Sequence, residues 1–244
     1  MKTIVVIPAR YQSSRYPGKP LIPLLGKPMI LWVAELSAEA VGSENVYVAT
    51  DDSRIADVVI KAGFQVTMTS DQALTGTDRL AEVAEQVEAD IYINVQGDEP
   101  LVAPSDILKV IDQKVKYPNE VINGYAPLGA GEDPNSVNIP KVIFTEQKQM
   151  IYMSRQAIPG FKDTKNAPAE YYKQVCIYAF NRQELLDYGL HEEKSTIELS
   201  EDIEILRFLE WGQTIRMVQT LPGSLAVDIP EDVAKVETAL KALQ

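Results

Sequence analysis

Three cations and two serine hydroxyls crowd one short stretch of this chain, Arg10-Tyr11-Gln12-Ser13-Ser14-Arg15-Tyr16-Pro17-Gly18-Lys19, directly after an apolar run at residues 3–7. Arg and Lys side chains on a Pro/Gly-rich loop suit an anion, most simply a triphosphate. The loop falls at the carboxyl end of a buried strand, where open α/β sheets bind their ligands. In a chain of formal net charge −12, such a concentration of positive charge calls for a local reason.

Carboxylates supply the complementary chemistry. The segment Asn94-Val95-Gln96-Gly97-Asp98-Glu99-Pro100 ends a second apolar strand and delivers Gln96 and Asp98 to the same sheet edge. Gly97 lets the backbone turn or approach a ligand closely. Asp98 either caps the next turn or shares Mg²⁺ with phosphate oxygens, since Mg²⁺ is commonly held by one or two carboxylates and the substrate's phosphates. Asp228, in Ala226-Val227-Asp228-Ile229-Pro230, ends another apolar run and is open to the same two readings, helix cap or metal ligand. Leu74-Thr75-Gly76-Thr77-Asp78-Arg79 is either an ordinary capped helix start or one that offers backbone N–H groups and an Arg to a base or anion. Neither a Walker A pattern nor G-x-G-x-x-G is present.

These residues need a frame. Short apolar runs at 4–7, 46–50, 66–69 and 91–95 alternate with helical patterns at 29–41, 53–62 and 77–87, which predicts a parallel sheet covered by helices on both faces. Gly63 reads as a helix stop. The second half is less regular. Strands are expected at 121–128, 141–145, 175–180 and 214–219. A helix is expected at 198–212, with Gly212 just past its end, and a closing helix at 230–243 opened by Pro230. Residues 158–169, rich in Pro, Gly, Lys and Asp, read as an excursion from the sheet. With no internal repeat or linker, residues 1–244 form one domain, with an excursion around 150–195.

Composition excludes several functions. The 244 residues are 45 % hydrophobic and 24 % charged, ordinary for a globular α/β domain. Strong net negative charge argues against nucleic acid as a partner. No apolar run is long enough for membrane insertion, and the first residues carry no secretory pattern, so a cytoplasmic protein is expected. The one cysteine, Cys176, excludes an internal disulfide and a multi-Cys zinc site, and reads as a small buried hydrophobe. The one histidine, His191, reads as a solvated loop residue, which makes histidine acid/base chemistry improbable.

The strings at 7–21, 75–82, 94–100 and 227–232 together resemble the CMP-Kdo synthetases, the 3-deoxy-manno-octulosonate cytidylyltransferases, and the resemblance extends across nearly the whole chain. The pattern PAR-x-x-S-x-R-x-PGKPL is specific to sugar-activating cytidylyltransferases, and NVQGDEP narrows the match. The resemblance implies a nucleotidyltransferase-type, Rossmann-like, mostly parallel sheet. It implies transfer of CMP from CTP to the anomeric hydroxyl of a 3-deoxy-2-ulosonic acid, with release of pyrophosphate, for lipopolysaccharide synthesis. Arg10, Arg15 and Lys19 would clamp the triphosphate. Ala9, Thr77 and Arg79 would recognise cytidine, with Gln96 shared between nucleotide and sugar. Asp98 and Asp228 would hold Mg²⁺ and, with Lys19, form the catalytic set. Gln96, Arg155, Gln174, Tyr178, Glu198 and Glu201 would meet the sugar. Members are usually homodimers, with the excursion at the interface.

Departures from the family pattern cluster on the sugar half. The usual His-x-Gly-Ile-Tyr is Gln174-Val175-Cys176-Ile177-Tyr178, and the following segment, Ile197-Glu198-Leu199-Ser200-Glu201-Asp202-Ile203-Glu204, is richer in acid. The family's Asn-x-Val-Lys is stretched to residues 135–141. Loss of a potential cation beside gain of carboxylate favours an amino-bearing acceptor, 8-amino-3,8-dideoxy-manno-octulosonate (Kdo8N), over plain Kdo. The rival readings are a cytidylyltransferase for a sialic or pseudaminic acid, a NAD(P)-binding oxidoreductase, for which the Gly-rich fingerprint is missing, and a non-catalytic nucleotide sensor.

Overall fold

The computed structural model describes residues 1–12, 16–191, 193–222, 225–227 and 229–243. Its strands are β1 (Thr3–Ala9), β2 (Pro23–Leu24), β3 (Lys27–Pro28), β4 (Val46–Thr50), β5 (Gln65–Met68), β6 (Ile91–Val95), β7 (Val121–Pro127), β8 (Lys141–Phe144), β9 (Met150–Ser154), β10 (Tyr172–Phe180) and β11 (Ile215–Gln219). Its α-helices are α1 (Met29–Val41), α2 (Ser53–Lys61), α3 (Gly76–Gln86), α4 (Pro104–Lys116), α5 (Arg182–Gly189), α6 (Thr196–Glu201), α7 (Leu206–Glu210) and α8 (Val233–Leu243).

The central sheet runs β11-β7-β10-β6-β1-β4-β5, with β8 and β9 attached through β10. Pairings β6–β1, β1–β4, β4–β5 and β7–β11 are parallel. The exception decides the architecture: β10 lies antiparallel between β6 and β7. Side-chain alternation along β1 sends Ile4 and Val6 to one core and Val5, Ile7 and Ala9 to the other. The first core is closed by α3, α5 and α7, and the second by α1, α2 and α4. Helices therefore cover both faces, as the alternating pattern predicts. A third, smaller core unites Leu24, Met29, Val227, Val236 and Leu240, and packs α8 against residues 24–29.

Several elements differ from expectation. The helix expected at 198–212 is two helices, α6 and α7, separated by Asp202 in the left-handed region (φ 50°). No Gly or Pro marks this break, so the apolar pattern carries no sign of it. Helices α4 and α5 and strand β9 were not anticipated. Residues 230–232 form a 3₁₀ turn ahead of α8 instead of its first turn. Asp52 caps α2 by accepting from the Arg54 N–H. Gly63 (φ 89°) and Gly212 (φ 74°) end their helices with positive φ, as expected. Within the span 150–195, β10 is a central strand and α5 packs on the core, so the excursion reduces to the segment between β9 and β10.

Helices α4 and α5 are joined by a buried ion pair. The Lys114 ammonium lies 2.8 and 2.7 Å from the two Glu184 oxygens and donates to the Glu120 carbonyl at 2.8 Å. Removing one partner strands a desolvated charge. Lys114→Ala is expected to destabilise the fold by about 3–5 kcal/mol, read as a lowered urea midpoint; a loss under 1 kcal/mol would contradict this reading.

Candidate active site

The carboxyl ends of β1, β4 and β6 meet at one sheet edge because the three strands are parallel and adjacent. Gly97 explains the close fit there. A Cβ at that position would stand 2.9 Å from the Pro8 carbonyl oxygen, so only glycine lets the tip of β6 pass beside the end of β1. Two adjoining clefts open at this edge. The first, about 240 Å³, is lined by Ala9, Arg10, Lys19, Arg79, Gln96 and Asp98, among others. Across it the Lys19 ammonium lies 2.5 Å from Asp98 Oδ2. The loop cation and the strand-tip acid predicted from sequence are thus brought together.

Arg15 and Asp228 lie outside the described residues. Asp228 follows Val227, whose N–H donates to the Asp98 carbonyl at 3.0 Å. The third core holds Val227 in that position. Among the described residues, no group of three or more His, Cys, Asp or Glu side chains could hold a metal. What Mg²⁺ requires is less: one or two carboxylates next to phosphate-binding cations, and Asp98 facing the first cleft beside Lys19 fits that requirement.

The start of α3 forms the wall between the clefts. Thr75 and Asp78 make a capping box, with Asp78 N donating to Thr75 Oγ1 at 3.2 Å and Thr75 N to Asp78 Oδ2 at 2.7 Å. Asp78 Oδ1 also accepts from Arg207 Nη1 at 3.2 Å, and buried Arg207 is paired with Glu198 at 2.6 and 2.9 Å. This corrects one expectation. Glu198 is fully buried, caps α6 and neutralises Arg207; it reaches neither cleft and supports the first turn of α3 from behind. Thr77 is also fully buried, with its N–H on Glu204 Oε2 at 3.0 Å and its hydroxyl unpartnered among the described residues. It lines neither cleft. Arg79 does line the first, but its guanidinium is held by Asp51 (3.0 Å), Thr69 Oγ1 (2.6 Å) and the Ser70 carbonyl (3.0 Å).

The second cleft, about 340 Å³, is continuous with the first through Leu74, Thr75, Gly76 and Gln96. Its floor comes from β10. Tyr178 pairs with Asn94 and Ile177 with Val95, so the first half of the antiparallel strand runs beyond the tip of β6. Gln174, Cys176 and Tyr178 thereby line the cleft, joined by Arg155. Gln174 Nε2 donates to the Tyr178 hydroxyl at 3.0 Å and to Asn123 Oδ1 at 3.3 Å. Cys176 packs against the first core, in line with its reading as a small hydrophobe, but is only half-buried and also lines this cleft; burial pushes its thiol up, so it is protonated near neutrality. Glu201 stands against the end of β9, accepting from Ser154 Oγ at 2.6 Å, Arg155 N at 2.8 Å and the Tyr152 hydroxyl at 3.2 Å. It holds Arg155 in place and does not line the cleft. His191 is exposed as expected, with its ring 4.5 Å from that of Trp211.

Sequence reasoning missed Glu204, Asp202, Lys194 and Asn138, all of which line the second cleft. Glu204 accepts from Gln96 Nε2 at 3.2 Å and from Thr77 N, and burial raises its pKa above the ordinary glutamate value. An unbroken helix at 198–212 would have aimed Glu204 differently; the turn at Asp202 points it inward.

The sequence profile of cytidylyltransferases matches residues 4–215. This chain belongs to the cytidylyltransferase family. Within it, the cytidylyltransferase is 39 % identical over 246 residues to the 8-amino-3,8-dideoxy-manno-octulosonate cytidylyltransferase of Shewanella oneidensis, an alignment covering 98 % of this chain and 99 % of the relative. It is 41 % identical over 252 residues to the 3-deoxy-manno-octulosonate cytidylyltransferase of Syntrophotalea carbinolica, covering 100 % of both. A solved CMP:2-keto-3-deoxy-manno-octonic acid synthetase complexed with CTP superposes with a TM-score of 0.92 at 37 % identity, over 100 % of each chain. The protein is a nucleotidyltransferase of the CMP-Kdo synthetase family, and the oxidoreductase and sensor readings are set aside.

The raised pKa of Glu204 has a definite sign. Its contribution to stability is full below the unfolded glutamate value of about 4.3 and is lost as pH rises through the higher folded value. Glu204→Gln removes that titration. The stability of the wild type minus that of Glu204→Gln is therefore expected to fall as pH rises above the unfolded glutamate value of about 4.3 in paired urea titrations. A difference that rises with pH would show that Glu204 is held ionised.

Proposed function

We propose that the enzyme transfers CMP from CTP to the anomeric hydroxyl of Kdo8N or Kdo and releases pyrophosphate, with Mg²⁺ as cofactor. The observation that carries this reading is the pair of adjoining clefts meeting at Gln96, one lined by Arg10, Lys19 and Asp98 and the other by Gln174, Tyr178 and Glu204. Such an arrangement suits an in-line attack in which two bound substrates meet at the α-phosphorus.

Arg10 and Lys19 face the triphosphate and oppose the negative charge that grows on departing pyrophosphate. The Gln96 amide, fixed by Glu204, stands where the acceptor oxygen approaches the nucleotide. Asp98 would hold Mg²⁺ with help from Asp228. When bound, the ion neutralises phosphate charge and lowers the pKa of a nearby hydroxyl, which suits a site without a histidine base. Relatives of both sugar specificities resemble this chain to a similar degree. Gln174 in place of the family's histidine, together with Asp202 and Glu204, favours the amino sugar, because a cleft poorer in cations and richer in carboxylates suits an added ammonium. Strand β9 and helix α6 expose Ile151 and Leu199, and the segment that follows β9 exposes Phe161; these fit a homodimer contact. No described helix is long and apolar enough to cross a membrane, in keeping with a cytoplasmic enzyme.

Incubation with CTP, Mg²⁺ and either sugar is expected to release pyrophosphate, with higher kcat/KM for Kdo8N. Equal or higher kcat/KM for Kdo defeats the amino preference, and no pyrophosphate with either sugar defeats the assignment. Asp98→Asn is expected to reduce kcat by about 100-fold or more, the scale of losing one electrostatic stabiliser of a transition state; turnover within a few-fold of wild type would remove Asp98 from the mechanism. Light scattering is expected to give twice the chain mass.

A further inference from the structure

Arg155 and Lys194 line the second cleft and Lys141 is buried nearby; Arg155 and Lys141 are committed to the main chain. Arg155 donates to the carbonyls of Val137 (2.8 Å), Glu201 and Asp202 (2.9 Å). Fully buried Lys141 donates to the carbonyls of Ser136 (2.7 Å) and Arg155. Both act as clasps that hold the segment 136–138 and the end of β9 against the break at 201–202. Lys194 differs. It lines the cleft, and its ammonium meets a side-chain carboxylate, Asp202 Oδ1, at 2.7 Å.

That pairing is easily exchanged. The Asp202 side chain is 73 % exposed and that of Lys194 24 %. Ion pairs with a partner this solvated are worth about 0–1 kcal/mol, so little is lost when another carboxylate takes the place of Asp202. The main chain at Lys194 is nevertheless well anchored, since the next residue, Ser195, donates its N–H to Glu198 Oε2 at 3.1 Å as the cap of α6. A fixed root with an exchangeable head is what a substrate-binding cation needs. The cleft also presents the carboxylate of Asp202, which would repel an acidic sugar unless a cation offset it.

We propose that Lys194 is an acceptor-recognition residue, whose ammonium leaves Asp202 to take the carboxylate of the ulosonic acid. This rests on the reading of the second cleft as the acceptor site. Lys194 then governs acceptor affinity without touching the nucleotide, and Asp202 keeps the ammonium in place while the cleft is empty.

The test uses the full chain with CTP, Mg²⁺ and the better of the two sugars. Lys194→Gln is expected to raise KM for the sugar about ten-fold or more, with KM for CTP within two-fold, and Lys194→Arg to restore most of the loss. A second readout needs no variant: the sugar should protect Lys194 of the wild type from amine acetylation, followed by peptide mass spectrometry, and CTP alone should not. The proposal is overturned if Lys194→Gln leaves the sugar KM within two-fold, if both KM values rise together, if Lys194→Arg fails to rescue, or if the sugar gives no protection. Absence of pyrophosphate from the wild type with either sugar instead overturns the parent assignment, and this inference falls with it.

Discussion

The antiparallel course of β10 beside β6 is the constraint on which the site depends. Parallel strands alone bring the ends of β1, β4 and β6 to one edge and would build only the nucleotide half. Because β10 enters from that same edge, its first residues extend past the tip of β6 and provide the floor of a second cleft. Gln96 then stands on the boundary, lining both clefts. One strand reversal thus adds a second cleft beside the one at the ends of the parallel strands.

Charge is arranged on that frame in layers. Lys19 and Asp98 pair at 2.5 Å on the wall of the first cleft, each offsetting the cost of partly desolvating the other. Behind the dividing wall, Glu198, Arg207, Asp78 and Thr75 form a connected series that ends at the first turn of α3. Two residues that the family resemblance placed on ligands, Glu198 and Thr77, serve the wall itself. A buried Arg–Glu pair is a demanding element, tolerable because the remaining donors of Arg207 are met by Asp78 and because its guanidinium stacks 3.8 Å from the Tyr188 ring centroid. The clefts inherit their rigidity from this hidden network.

The acceptor half is held differently. Its rim is gathered by Arg155 and Lys141 donating to main-chain carbonyls, while Lys194 and Asp202 meet at its mouth in a partly solvated pair. The left-handed Asp202, a conformation that costs a non-glycine residue about 1–2 kcal/mol, is the pivot: it turns Glu204 inward and presents its carbonyl to Arg155. Local strain of this kind is consistent with a functional position.

Much of the nucleotide half was legible in the residues themselves. Alternating apolar periods dictate α/β layering, since a strand with two buried faces must be covered on both. Arg10, Lys19, Gln96 and Asp98 are each tied to the end of a strand, so their meeting follows once those strands lie side by side. The acceptor half was not legible in the same way. Nothing local states that β10 runs backwards, that residues 198–212 break at Asp202, or that Cys176 faces a cleft, because strand direction and helix rotation are fixed by long-range packing and not by the period of the pattern. The amino acids determined which charges this protein possesses and which strand tips carry them; only the folded chain decided which carboxylate lines a cleft and which neutralises a buried arginine, because identical side chains take opposite roles according to what surrounds them.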